Sequence, residues 1–236
     1  MTTVTSHLFI TGTDTGVGKS IFTSIIALWF FNQGKKVTII KPVQTGRLKD
    51  TEFLSKLTKN KIPVFNSYSF KLPAAPLVAS KYKSQKISVK KIISDIRKLE
   101  KDFEHVIVEG IGGIAVPIVK NYLVADLIKD LNYPVIIVCR PSLGTINHSV
   151  LTIEFAKQKK LKVLGFVVSG YDKKTKDVAV KTAPEIISKT TKVQCLMKLP
   201  VLSPEAIPNL LQKHNQLFYR LILLPGNLAG KNHELE

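Results

Sequence analysis

Cysteine is scarce: only Cys139 and Cys195, both inside apolar, strand-like runs. Two are too few for a disulfide scaffold, and buried free thiols in a reducing cytosol are the expectation. Arginine is also sparse. Arg47, Arg97, Arg140 and Arg220 are the only four among 35 basic side chains, which face 17 acidic ones for a net charge of +18. Arginine is the side chain that grips phosphates and base edges bidentately. No aromatic residues interleave with the lysines, as a base-stacking groove requires. Nucleic acid is therefore not an expected partner, and the lysines read as a solvated surface. The longest apolar stretch, Ile21–Phe31, is too short to span a bilayer and is interrupted by Thr23 and Ser24. The N-terminus has no basic region leading into an apolar core, so neither a signal peptide nor a membrane partner is expected, and the expected location is cytoplasmic. Repeats, linkers and low-complexity blocks are missing too. The 236 residues, 44% hydrophobic, suit a single α/β domain over 1–225 with a loose tail over 226–236.

What the chain does have is Gly12-Thr13-Asp14-Thr15-Gly16-Val17-Gly18-Lys19-Ser20, placed between the apolar run His7–Ile10 and a helical pattern starting near Ile21. Strand, glycine-rich turn, Gly-Lys-Ser and helix is the order of a phosphate-binding P-loop. Its backbone N–H groups and the helix N-terminus face an anion, the lysine reaches the outer phosphates, and the hydroxyl holds Mg²⁺. The usual spacing puts the leading glycine at position 13. Here Gly12 comes one residue earlier.

The rest alternates. A helix over Ser20–Gln33 stops at Gly34, and a buried strand Val37–Ile40 runs into an expected loop, Lys41-Pro42-Val43-Gln44-Thr45-Gly46. Residues just beyond strand C-termini in a parallel sheet point into the ligand crevice, which places Lys41 and Thr45 on the P-loop rim. Asp50 opens a short helix and serves equally as cap or metal ligand. Residues 61–87 read as irregular, with a short helix after Leu72–Pro76. Ile87–Phe103 is amphipathic. Val106–Val108 ends in Glu109-Gly110-Ile111-Gly112-Gly113, and an acid at the tip of a buried strand is the expected second Mg²⁺ partner of a P-loop. Strands Pro134–Val138, Val163–Val168 and Val193–Leu199 follow, with helices at Val124–Leu131, from Leu143 to about Lys160, and at Ala179–Ser188. The pattern predicts a doubly wound, mostly parallel sheet with helices on both faces, like a P-loop NTPase.

Four segments together resemble the dethiobiotin synthetase family across roughly residues 5–170: the P-loop with its early glycine, Lys41–Gly46, Val108–Gly113, and Leu143-Gly144-Thr145-Ile146-Asn147-His148. The resemblance implies a homodimer that joins 7,8-diaminononanoate and CO₂ at the cost of ATP, with Mg²⁺, to give dethiobiotin in biotin synthesis. The reaction would pass through a carbamate and a carbamic–phosphoric anhydride. By matching position, Lys41 and Lys19 are catalytic, and Ser20, Asp50 and Glu109 hold the metal. Thr13, Asp14, Thr15, Gly16, Val17, Gly18, Ile21, Gly110, Ile111, Gly112, Ser169, Gly170 and Pro200 complete the nucleotide site. Thr15, Thr45, Gly144, Thr145 and Asn147 contact the substrate, the last three from the partner subunit. Ser169 stands where the family often reads adenine with Asn. One short hydroxyl in place of a two-sided amide leaves room for other triphosphates. Ile111 stands where a small residue is usual.

Two other classes fit parts of the pattern. A partition-type P-loop ATPase acting on DNA or membrane would suit the positive charge, but such proteins carry an extra lysine near the start of the loop, where this chain has Thr13 and Asp14. A non-catalytic nucleotide-binding module would have no need of Lys19, Ser20, Lys41 and Glu109 together.

Overall fold

Glycine and proline breaks cut the chain into short apolar strands separated by helices, and a computed structural model describes the result for residues 7–47, 49–213, 215 and 218. In chain order the elements are β1 (His7–Gly12), α1 (Lys19–Asn32), β2 (Val37–Thr45), α2 (Asp50–Leu57), β3 (Val64–Phe70), α3 (Pro76–Tyr82) and α4 (Val89–Asp102). There follow β4 (His105–Gly113), β5 (Pro117–Val119), β6 (Tyr122–Leu123), α5 (Val124–Leu131), β7 (Val135–Cys139), α6 (Thr145–Gln158), β8 (Val163–Ser169), α7 (Val178–Thr191), β9 (Cys195–Leu199) and α8 (Ile207–Lys213). The tail expected to be loose, 226–236, lies outside the described residues.

Seven strands form one sheet in the order β3-β2-β4-β1-β7-β8-β9, and every described pairing within it is parallel. Parallel strands covered on both faces are apolar throughout, as in Val135–Cys139, where every residue is buried. One core lies between the sheet and α1, α2 and α8, around Phe22, Ile26, Trp29 and Leu210. The other joins the opposite face to α4, α5, α6 and α7, around Ile96, Leu127, Ile153 and Ile187. This is the doubly wound arrangement. The chain leaves central β1 for β2 and β3 on one side, returns through β4, and crosses to β7 on the other. The loop after β1 therefore sits at the switch point, where strand C-termini open a crevice.

Helix α1 carries apolar residues nearly all round because it lies between the sheet and two other helices. Phe22, Ile25, Ile26 and Phe30 are all buried, and the Trp29 indole donates to Asn215 Oδ1 at 2.8 Å. Both cysteines are buried and unbridged. Burial first of all pushes Cys139 up to about 11 and Cys195 up to about 12, so neither is a ready thiolate.

The structure corrects the sequence reading in three places. The stretch after Ile40 is not a loop. β2 continues through Pro42 to Thr45, with Lys41 opposite Asn66 and Val43 opposite Tyr68 on β3. Ile39 N–H faces β3, bonding to Pro63 O, so by alternation Pro42 faces β4, and the β2–β4 pairing has already ended at Ile40. The missing N–H of proline costs no ladder bond there. The region 61–87 holds an edge strand, β3, in which Asn66, Ser67 and Ser69 dilute the apolar signal. A small hairpin, β5–β6, turns through Asn121 in a left-handed conformation.

Close packing between β8 and β9 gives a stability expectation. A Cβ at Gly165 would lie 2.3 Å from Leu196 Cγ and 2.6 and 2.8 Å from its two methyls. Gly165→Ala is expected to cost about 1–3 kcal/mol through overpacking, which lowers the thermal midpoint by several degrees. An unchanged melting curve would show that Leu196 re-packs freely.

Candidate active site

The P-loop folds back over its own first residue. A Cβ at Gly12 would meet Val17 Cγ2 at 2.7 Å and Lys19 Cδ at 3.2 Å. That contact gives the early glycine its reason: position 12, not 13, lies under the closed loop. Gly18, at φ +96°, precedes α1, and a Cβ there would sit 2.2 Å from Ser169 Oγ. Ser169, expected beside the nucleotide base, thus packs its side chain against the phosphate loop itself. Gly170 and Pro200 sit beside it, at the ends of β8 and β9, and the N–H groups of Gly170 and Tyr171 both donate to Leu199 O at 2.8 Å.

A cleft of about 400 Å³ opens at the strand C-termini. It is lined by Thr15, Gly16, Gly18, Lys19, Ser20 and Ile21 from the loop and α1, and by Lys41 and Thr45 from β2. Asp50 and Phe53 from α2, and Glu109, Ile111 and Gly112 from β4, complete it. The P-loop, two strands and two helix starts thus bring together residues that lie far apart in the chain. Of the other expected nucleotide residues, Thr13 and Asp14 face a neighbouring hollow, and Gly110 packs inward, where a Cβ would be 3.0 Å from Phe9. Gly144 caps α6 and lies exposed with Asn147, whereas Thr145 is buried. None of these three lines the cleft of its own chain.

The floor of the cleft is ionic. Lys41, 3% exposed, places Nζ 2.8 Å from Glu109 Oε1 and 2.9 Å from Asp50 Oδ2. Burial pulls the Lys41 ammonium down. Glu109 and then Asp50 more than offset it, so its pKa ends above the ordinary lysine value. Ser20 Oγ donates to the same Glu109 oxygen at 2.9 Å. Lys19 Nζ bends back to Asp14 O at 2.7 Å, and burial first, then the Lys41 charge, bring its pKa down to about 8.

Glu109 is fully buried, and its second oxygen, Oε2, has no hydrogen-bond partner. A buried carboxylate oxygen left unpaired is costly unless a cation or donor is meant to meet it. With Ser20 Oγ and the Asp50 carboxylate beside it, the donors are all hard oxygens, which suits Mg²⁺. Among the described residues no group of three or more His, Cys, Asp or Glu gathers, so such an ion would take much of its shell from phosphate and water.

Two features, one at the cleft and one behind the P-loop, escaped the sequence reading. Phe53, 47% exposed, stands at the mouth on α2. Arg140, the residue directly after β7, reaches Asp14 at 2.7 Å. The rule that picked Lys41, a cation just off a buried strand, picks Arg140 as well.

Comparison with known proteins agrees with this geometry. A family model described as an AAA domain matches residues 6–206. The ATP-dependent dethiobiotin synthetase BioD of Thermodesulfovibrio yellowstonii is 38% identical over 212 residues, covering 83% of this chain and 88% of that protein. The enzyme of the same name from Methanococcus vannielii is 41% identical over 69% of this chain and 78% of its own, and that of Bacillus subtilis 34% over 89% and 94%. Among solved structures, the MinC:MinD cell division complex of Aquifex aeolicus aligns with TM-score 0.63 at 14% identity over 98% of this chain and 100% of that one. A ParA family ATPase of Chlorobium tepidum aligns with TM-score 0.53 at 12% identity, covering 95% and 93%. At such identities these two establish the shared P-loop α/β fold alone. The early glycine, the lysine-bearing second strand and the acid-tipped fourth strand, together with relatives matched over most of their length, place this chain in the ATP-dependent dethiobiotin synthetase family.

Proposed function

We propose that the protein closes the ureido ring of dethiobiotin from 7,8-diaminononanoate, CO₂ and ATP. The observation that carries the proposal is Lys41, buried between two carboxylates at the floor of a cleft whose wall is the P-loop. A lysine held there serves a reaction between two anions. A substrate amine takes up CO₂ as a carbamate, and a carbamate oxygen then attacks the γ-phosphorus and releases ADP. The second amine attacks the resulting mixed anhydride at its carbonyl carbon, loses a proton and expels phosphate. The protein supplies no nucleophile. Its part is to hold carbamate and phosphate in line and offset their repulsion, and well-oriented reactants gain roughly 7–11 kcal/mol over free ones.

Each group has a place in that scheme. The N–H groups of the loop and Lys19 receive the phosphates, and Lys41 faces the point where carbamate and γ-phosphate meet. Thr15 and Thr45 line the substrate side. Ser20, Asp50 and Glu109 would hold Mg²⁺, which supplies charge neutralisation as negative charge shifts towards ADP. Gly144, Thr145 and Asn147 would meet the substrate carboxylate from a partner subunit. In this reading a homodimer covers Leu143 and Leu151, which are 87% and 62% exposed in the single chain. The reading is of a cytoplasmic enzyme. No helix among the described residues is long and apolar enough to cross a membrane.

The test is incubation with diaminononanoate, bicarbonate, Mg²⁺ and ATP, followed by mass detection of the cyclic urea. A product heavier than the diamine by one carbonyl and lighter by two hydrogens is expected, and its absence with well-folded protein would sink the proposal. ATP turnover that responds to DNA but not to the diamine would favour the partition-type reading. Substituting CTP and GTP for ATP tests what Ser169 selects.

The Lys19 ammonium predicts a pH dependence. Its pKa near 8 in the free cleft means the cation is present below that pH and lost above it, while a bound polyanion favours the charged form. ATP binding is therefore expected to weaken as pH rises through 8, and near that pH to take up a proton. Calorimetry in buffers of different ionisation enthalpy measures that uptake. Binding with no proton linkage between pH 7 and 9 would contradict it.

A further inference from the structure

A carboxylate on a loop that wraps a triphosphate is an anomaly. Asp14 is such a group, two residues past Gly12, and its charge repels the ligand the loop is built to hold. The structure disposes of that charge in a specific way. Asp14 Oδ2 pairs with Arg140 Nη2 at 2.7 Å, and Asp14 Oδ1 accepts the N–H of Thr15 at 2.7 Å. The carbonyl of the same residue takes the Lys19 ammonium at 2.7 Å. One residue earlier, Thr13 N–H donates to Val138 O at 3.0 Å. The β7 end therefore grips the rising limb of the loop twice, once by backbone and once by Arg140. Arg140 is also the residue from which the chain runs into α6.

We propose that Arg140 is a positioning residue for the nucleotide: it neutralises Asp14 and fixes the Asp14–Thr15 corner of the P-loop, so that the loop can accept a polyanion. The inference rests on the nucleotide-binding reading above and goes beyond it, because Arg140 lines no part of the cleft. An exposed ion pair of this kind adds little to global stability, since the side chains are 42% and 55% exposed. Its effect lies in the local field. With Arg140 intact the pair presents the phosphates with no net charge; without it, a bare carboxylate faces them. Arg140 Nε, buried and without a hydrogen-bond partner, holds a donor in reserve beside the loop.

Charge compensation differs from simple bracing in one respect: the defect should be curable by removing the second charge. The experiment compares wild type, Arg140→Gln and the double variant Asp14→Asn/Arg140→Gln in the full chain. Affinity for a non-hydrolysable ATP analogue with Mg²⁺ is read by calorimetry, and kcat and KM for ATP in the ring-closure assay. Arg140→Gln is expected to raise both Kd and KM roughly tenfold, the scale of one uncompensated charge beside a partly solvated polyanion, with kcat little changed. Added salt should shrink the deficit. The double variant is expected to recover most of the lost affinity. Unchanged Kd in Arg140→Gln would overturn the proposal, as would a double variant no better than the single one. Wild-type protein that bound no nucleotide would overturn the underlying nucleotide-binding reading, and this inference with it.

Discussion

Lys41→Ala is expected to lower turnover roughly 10²–10³-fold while the protein still binds ATP, the loss typical of one preorganised charge-stabilising group. In the proposed reading the P-loop, Lys19 and the N-terminus of α1 supply the nucleotide contacts, and the loss of the Lys41 charge, which lowers the Lys19 pKa, leaves Lys19 more fully cationic. What the substitution removes is the cation where two anions must approach, an interaction that strengthens as the reaction proceeds; kcat should fall far more than KM for ATP rises. A structural cost comes with it. Lys41 is buried against Glu109, which is fully buried, and breaking such a pair typically costs about 3–5 kcal/mol. Lys41→Arg separates the two effects. It keeps the charge, but a planar guanidinium does not fit a slot shaped for a single ammonium between Glu109 and Asp50. Stability should partly return in that variant, and activity should not. Wild-type-like turnover in Lys41→Ala, measured by product mass and phosphate release, would remove Lys41 from the mechanism.

How far the sequence revealed this site depends on where the signal was local. The P-loop was legible because its chemistry is contiguous. Lys41 and Glu109 were legible because a polar residue ending a run such as Val37–Ile40 or Val106–Val108 has no packing reason to be there, and parallel sheets put such ends on one rim. The same logic reaches Arg140, which directly follows the buried run Val135–Cys139. What stayed hidden was tertiary. Pro42 argued for a loop, and only the early end of the β2–β4 ladder makes a strand tolerable there. The edge strand β3 is polar at Asn66, Ser67 and Ser69 because only one of its sides is paired. The inward turn of Gly110 onto Phe9 and the packing of Ser169 on Gly18 are contacts between distant segments, which no spacing announces.

Glu109→Gln tests the same floor from its acidic side and has two expected consequences of different kinds. The amide still offers an oxygen to Ser20 and Lys41, but it sets an NH₂ where Oε2 now stands without a partner. A donor in that position repels a cation instead of holding one. Turnover should therefore fall roughly 10²–10³-fold, and Mg²⁺ titrations should saturate at higher concentration than for wild type. The second consequence concerns Lys41. In the wild type burial is the largest influence on its ammonium and lowers the pKa, and the carboxylates of Glu109 and then Asp50 more than offset it. With the larger opposing charge gone, burial is expected to prevail and to bring the folded-state value below the ordinary 10.5. The unfolded chain then holds more protons than the native one in the window below 10.5, so native stability rises with pH across it. The wild type has no such rise from this residue, because its raised value keeps Lys41 charged in both states until the pH passes 10.5. The deficit of Glu109→Gln, read by chemical denaturation, should consequently be largest near neutrality and shrink as pH climbs towards 10. A deficit that stayed constant with pH would mean that Asp50 alone holds the charge, and that the buried pair is not what keeps Lys41 cationic.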